Sequence, residues 1–190
     1  MARQPRHYVP GQSVHVFNRG HNRCAIFHER SDYKRFLALL IAAIRRYRVD
    51  VHLFALLTNH YHLLVTPSSA TALPNAMKQI NGDYVRYYNR KHGRRGTLWG
   101  GRYQARNIDD ERYWWTCARY VERNPVEAGL VDVPQDYEWS SYRVYAGGAE
   151  NDWLVPHAEY ERLGRSTSER QLAYESICRQ GQTPCKVSDP

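Results

Sequence analysis

Two histidines stand two residues apart in the apolar run Asn59-His60-Tyr61-His62-Leu63-Leu64-Val65. On an extended strand, residues i and i+2 project from the same face, on the order of 7 Å apart. His60 and His62 would then converge on one divalent metal ion, while Tyr61, Leu63 and Val65 face the other way. Neutral imidazoles are common ligands for such ions, and a two-histidine site leaves positions open for a third ligand and a substrate. The competing interpretation is a pair of hydrogen-bonded strand histidines. Further downstream, Tyr120 and Asn124 are four residues apart in Tyr113-Trp-Trp-Thr-Cys-Ala-Arg-Tyr120-Val-Glu-Arg-Asn124-Pro125, so on a helix they share one face. Tyr120 alone reads as a nucleophile or as a packed aromatic, and Asn124 alone as a ligand or a C-terminal cap.

Between Tyr84 and Ile108 the chain carries seven basic residues (Arg86, Arg90, Lys91, Arg94, Arg95, Arg102 and Arg106) and no Asp or Glu. Tyr87, Tyr88, Trp99 and Tyr103 are interleaved with them, and Gly93, Gly96, Gly100 and Gly101 would let backbone N–H groups approach phosphate oxygens. A charge run is often only a solvated face. One this long without an acid points to phosphate binding, with the salt dependence that follows. The whole chain agrees: 27 Lys+Arg against 19 Asp+Glu give a formal charge of +8 over 190 residues. Nucleic acid is the commonest partner for such a balance, and 15 Tyr and 5 Trp supply rings that can stack on unpaired bases.

The elements that must position these residues follow from periodicity. Ser13 to Phe17 reads as a strand, followed by a turn at Asn18-Arg19-Gly20. Ser31-Asp32 can cap a helix running to about Tyr47, with Phe36, Leu37, Leu40, Ile41 and Ile44 at helical spacing. Residues 51–66 form a hairpin turning at Thr58-Asn59. Pro74 opens a second helix with Met77, Ile80, Tyr84, Tyr87 and Lys91 on one face. Arg102 to Arg106 is a fourth strand, and Asp109 or Asp110 caps a third helix that should end before Pro125, because the pre-proline position disfavours α geometry. The order β-α-β-β-α-β-α implies an α+β fold with a ferredoxin-like or RRM-like antiparallel sheet. Residues 1–150 are expected to be one domain. Residues 151–190 would be a C-terminal extension, with a short helix over Ser168–Cys178 and a flexible tail over Gly181–Pro190.

Hydrophobic residues make up 42%, enough for a core. Cys24, Cys117, Cys178 and Cys185 are scattered, which suggests free thiols in a reducing cytoplasm. The longest apolar run, Phe36 to Ile44, is too short to span a bilayer, and the N-terminus lacks the apolar stretch of a signal peptide. A cytoplasmic, nucleoid-associated protein without a membrane partner is expected.

Taken together, four segments carry a family resemblance. His60-Tyr61-His62 resembles the "HUH" motif (His, hydrophobic, His) of single-strand DNA nucleases and transposases. Ala118-Arg-Tyr120-Val-Glu-Arg-Asn-Pro125-Val-Glu-Ala-Gly-Leu130 is similar to the tyrosine helix of the REP-associated tyrosine transposases, relatives of the single-tyrosine insertion-sequence transposases. His15-Val-Phe-Asn-Arg-Gly20 and Trp139-Ser-Ser-Tyr142 resemble the same family, in the same order over about residues 8–145. The resemblance implies the HUH endonuclease fold with helices on both faces of the sheet. It also implies a metal-dependent transesterification: His60 and His62 would hold Mg2+ or Mn2+ with Asn124 as third protein ligand, and Tyr120 would attack the scissile phosphate to give a 5′-phosphotyrosine and a 3′-OH. The implied partner is single-stranded hairpin DNA, the REP palindromes, bound by a monomer or homodimer. Two rivals remain at this stage: a non-catalytic RRM-like nucleic-acid-binding protein, and a metallohydrolase using a metal-bound water. The chain has neither a P-loop nor a cluster of three carboxylates typical of two-metal transposases.

Overall fold

The computed structural model describes Arg6 and residues 8–179. Cys185 and the segment from Gly181 to Pro190 lie outside the described residues. Four strands, β1 (Val14–Arg19), β2 (Val49–Leu57), β3 (His60–Pro67) and β4 (Gln104–Asn107), form one sheet in the order β2-β3-β1-β4, with every neighbour antiparallel. Helices α1 (Arg30–Tyr47) and α2 (Ala72–Lys91) pack together on one face, and α3 (Glu111–Glu127) packs on the other, mostly against β2. This is the expected ferredoxin-like α+β arrangement with both faces of the sheet covered.

Strand alternation builds two cores. Val14, Val16, Tyr61, Leu63 and Val65 point toward α1 and α2, where they meet Phe36, Leu40, Met77, Ile80 and Tyr84. Phe17, Leu53, Ala55, Leu57 and Leu64 point toward Trp114, Cys117, Ala118 and Val121 of α3. A register shift between Val51 and Leu53 reverses which face of β2 each later residue supplies, and because both faces are covered nearly all of β2 is buried.

The hairpin turns at Thr58-Asn59, as its sequence suggests, and each strand is slightly longer than expected. Other boundaries differ. Asn18 and Arg19 belong to β1 and pair with Tyr61 and His60; the turn starts only at Gly20. Glycine is required there because a Cβ would collide with the Cys24 carbonyl oxygen. The α1 N-cap is Glu29, with Ser31 already inside the helix; Asp32 accepts the backbone N–H groups of Glu29 and His28 at 3.2 and 2.9 Å. On α2, Tyr88 is buried more fully than Tyr87.

The largest departure concerns α3. Asp110 caps it as expected, accepting from the Tyr113 N–H at 2.7 Å. The helix then runs through Pro125 and ends at Glu127, where the Ala128 N–H closes on the Asn124 carbonyl. Proline costs one helical hydrogen bond here, but it sits in the last turn, and Val121, Asn124 and Pro125 are all buried. Asn124 is therefore an interior helical residue rather than a cap.

After α3 the chain returns to the same face. Helices α4 (Tyr142–Tyr145), α5 (Ala158–Glu161) and α6 (Thr167–Arg179) pack around α3, with Tyr142, Tyr145, Tyr160 and Tyr174 completing the second core. The expected helix near the C-terminus is α6. The extension is stitched to the sheet: the Val155 N–H donates to the Val51 carbonyl at 2.9 Å, and His157 Nε2 is 3.1 Å from Ser13 Oγ. Among the described residues, no helix is long and apolar enough to cross a membrane.

Candidate active site between β3 and α3

His60 and His62 project from the α3 face of β3, as i, i+2 alternation requires, with ring centroids 5.0 Å apart. Tyr120 and Asn124 descend onto them from α3. The Tyr120 ring stands edge-on to His62 at 5.2 Å, and Asn124 Oδ1 is 3.0 Å from His60 Nε2. All four side chains are buried. Both lie inside α3 one turn apart, which puts them on one face aimed at the same strand.

The hydrogen bonds around His60 define which atom is available. Asn59 Nδ2 donates to the Arg23 carbonyl at 3.1 Å, which leaves its Oδ1 to face His60 Nδ1 at 2.6 Å. His60 therefore donates from Nδ1, and its Nε2 faces Asn124 Oδ1. A cation shared by both atoms, a proton on the ring, or the Asn124 amide turned to present its N–H would each satisfy this 3.0 Å contact. His62 Nε2, also buried, makes no hydrogen bond among the described residues. Burial, followed by the nearby His15, His60 and Arg19 charges, holds its pKa well below the ordinary histidine range. It is neutral at pH 7, as a ligand must be.

Two nitrogens and an amide oxygen of this kind suit a divalent ion with open positions. Among the described residues no group of three or more His, Cys, Asp or Glu side chains is arranged to hold a metal. The expected set of His60, His62 and Asn124 is thus brought together, and its lack of carboxylates leaves most of a hard cation's shell to substrate and water.

His15 is a residue that sequence reasoning passed over as part of the site. It lies on β1 beside His62, Nε2 to Nδ1 3.0 Å, and 6.1 Å from the Tyr120 ring. Burial, then the Arg106 charge across the β1–β4 pair, pushes its pKa down to about 3. Arg19 was also missed: it sits opposite His60 in the sheet register. A cleft of about 320 Å3 opens beside it, lined by Phe17, Arg19, Gly20, Arg23, Arg102 and Gln104.

The seven expected DNA-binding residues separate in space. Arg102 lines the cleft, and Arg106 lies opposite His15. Arg94 and Arg95 are exposed on the loop between α2 and β4, with the Arg94 guanidinium 5.5 Å from the Tyr88 ring centre. Arg86, Arg90 and Lys91 are on α2, across the sheet from Tyr120. Arg86 pairs with Asp83, while Lys91 is held by Glu29 and, at 2.7 Å, by Asp32. For Lys91 the charge is part of the α1–α2 packing.

Glu122 fixes α3 from behind the site. It is fully buried, and its Oε1 accepts from Ser141 Oγ at 2.7 Å and Tyr174 Oη at 2.9 Å. Burial raises its pKa to about 8 despite those two donors. The folded protein thus retains a proton that the unfolded chain releases near pH 4.5, so the Glu122 contribution to stability is fully present below that pH and falls as pH rises toward 8. Between pH 4.5 and 7 the loss is roughly 3 kcal/mol. Glu122→Gln should flatten this slope in thermal or urea unfolding measured from pH 5 to 8. Equal slopes in both proteins would show that Glu122 is already ionised in the fold.

Comparison with known proteins adds four findings. The family described as IS200-like transposases matches residues 8–124, a span containing both histidines, Tyr120 and Asn124. Among solved structures, the chain is similar to a REP-associated tyrosine transposase bound to a REP hairpin, with a TM-score of 0.61 and 16% identity over 83% of this chain and 93% of that one. A putative transposase from Deinococcus radiodurans R1 is also similar, at a TM-score of 0.45 and 16% identity over 64% of this chain and 97% of that one. No curated protein sequence matches.

Proposed function

Because the chain belongs to the family of IS200-like transposases, we propose that it cuts and rejoins single-stranded hairpin DNA of the REP type through a covalent bond to Tyr120. The observation that carries this is the convergence of Tyr120 and Asn124 from α3 onto His60 and His62 of β3. His60, His62 and Asn124 would hold Mg2+ or Mn2+, which supplies Lewis-acid stabilisation of charge on the phosphate oxygens. Tyr120 Oη bonds to phosphorus as the P–O3′ bond breaks. The phenolic proton is lost, the departing 3′ oxygen gains one, and a 5′-phosphotyrosine remains. Since the new ester preserves the phosphodiester's energy, rejoining to another 3′-OH needs no nucleotide cofactor. Arg19, Arg23 and Arg102 around the cleft would hold the backbone of the strand near the histidines, and the exposed Arg94 and Arg95 would extend that contact. The setting for such chemistry is the cytoplasm, at the nucleoid.

A module that stacks bases on an open sheet is less well supported, because α3 and the C-terminal helices cover the face that carries Phe17 and His15. A hydrolase with a metal-bound water leaves Tyr120 without a role.

The substrate form tests the proposal. A buried tyrosine on a helix reaches only a phosphate whose strand can be splayed into the site, so a REP hairpin with unpaired flanks should be cut and its fully duplex form spared. One strand of the element should be cut in preference to its complement, whose unpaired foot differs. Equal cleavage of both strands, or of blunt duplex, in a side-by-side assay would point instead to a general nuclease.

A further inference from the structure

The family reading leaves a buried hydrogen bond between two histidines without a purpose. His15 and His62 come from adjacent strands and meet Nε2 to Nδ1 at 3.0 Å, both fully enclosed. Neither His62 Nε2 nor His15 Nδ1 has a hydrogen-bond partner among the described residues. A pair of neutral imidazoles joined this way has two arrangements. In one, His62 donates from Nδ1 and keeps a lone pair on Nε2. In the other, His15 donates from Nε2, and His62 carries its proton on Nε2, where it would block any cation. The two differ in which outer nitrogen bears a buried, unsatisfied N–H.

We propose that His15 is a positioning residue for the metal site: it accepts the His62 Nδ1–H, so that the Nε2 lone pair of His62 faces the site. This rests on the metal-binding role given above to His62. It assigns to His15 the part usually taken by a carboxylate or carbonyl behind a ligating histidine, which sets ring orientation and tautomer. An imidazole in that place is a weaker acceptor than a carboxylate and adds no negative charge to the pocket. His60 is held by a different partner. Its Nδ1–H is taken by Asn59 Oδ1 at 2.6 Å, so both histidines of the motif present Nε2 to the site, each held by a neutral acceptor.

Two measurements test this on the full chain. In metal-free protein, 15N NMR of the imidazoles should show His62 as the Nδ1–H tautomer. A dominant Nε2–H form would overturn the proposal, whether or not any metal binds. Calorimetric titration with Mn2+, without DNA, should then show His15→Leu binding about 10- to 100-fold more weakly than the native chain. His15→Gln, whose amide oxygen can accept the same N–H, should recover most of the loss. Native-like Mn2+ affinity in a folded His15→Leu variant would also refute the proposal. If the native chain binds no Mn2+ at all, the metal role of His62 fails, and the tautomer spectrum still decides what His15 does.

Discussion

Replacing Tyr120 with phenylalanine should reduce strand cleavage to background, a loss on the order of 10^4-fold or more, while hairpin affinity stays within about threefold. The substitution removes one oxygen and leaves the ring that packs edge-on against His62 and His15, so α3 keeps its seat on the sheet. Binding and chemistry separate here because the contacts proposed for the DNA backbone come from β1, β4 and their loops, not from α3. Cleavage persisting in Tyr120→Phe would move the nucleophile elsewhere. Tyr113, seven residues earlier on the same helix, and Tyr103, beside β4, would then be the next tyrosines to replace.

The histidine pair should show the second large effect. His60→Ala and His62→Ala should each stop cleavage, and the double variant should lose at least about 100-fold in Mn2+ affinity, equivalent to roughly 3 kcal/mol. The expectation follows from the buried Nε2 atoms: that of His60 faces an amide oxygen, and that of His62 makes no hydrogen bond among the described residues. Both side chains lie on the α3 face, away from the α1–α2 core, so circular dichroism should report a retained fold. Unchanged Mn2+ affinity in the double variant would defeat the assignment of these residues as ligands.

What could be read from the chain depended on how local the cause was. The β2–β3 hairpin is legible because alternating apolar residues and the Thr58-Asn59 turn are both local signals, and the shared face of His60 and His62 follows from them. The helical spacing of Tyr120 and Asn124 was equally legible. The end of their helix was not: the rule that stops a helix before proline takes no account of burial, and here Pro125 and its neighbours are packed into the core. His15 was hidden for a different reason. A lone histidine in an apolar strand is indistinguishable from any other buried polar residue until the β1–β3 register sets it beside His62, 47 positions away. The ion pair of Lys91 was hidden in the same manner, because the Asp32 that binds it is 59 positions upstream. Nothing local marks Glu122, between Tyr120 and Asn124, as buried; only Ser141 and Tyr174 closing over it make it a buried carboxyl.

The most direct measurement is incubation of the full chain with an end-labelled single-stranded REP hairpin and Mn2+, followed by denaturing electrophoresis and mass spectrometry of the adduct. A transesterification through Tyr120 gives a labelled band at the mass of protein plus DNA fragment, with the phosphoryl group mapped to the peptide containing Tyr120. Cleaved DNA with a free 5′-phosphate and no attached protein would contradict it, since a metal-bound water rather than this tyrosine would then be the attacking group.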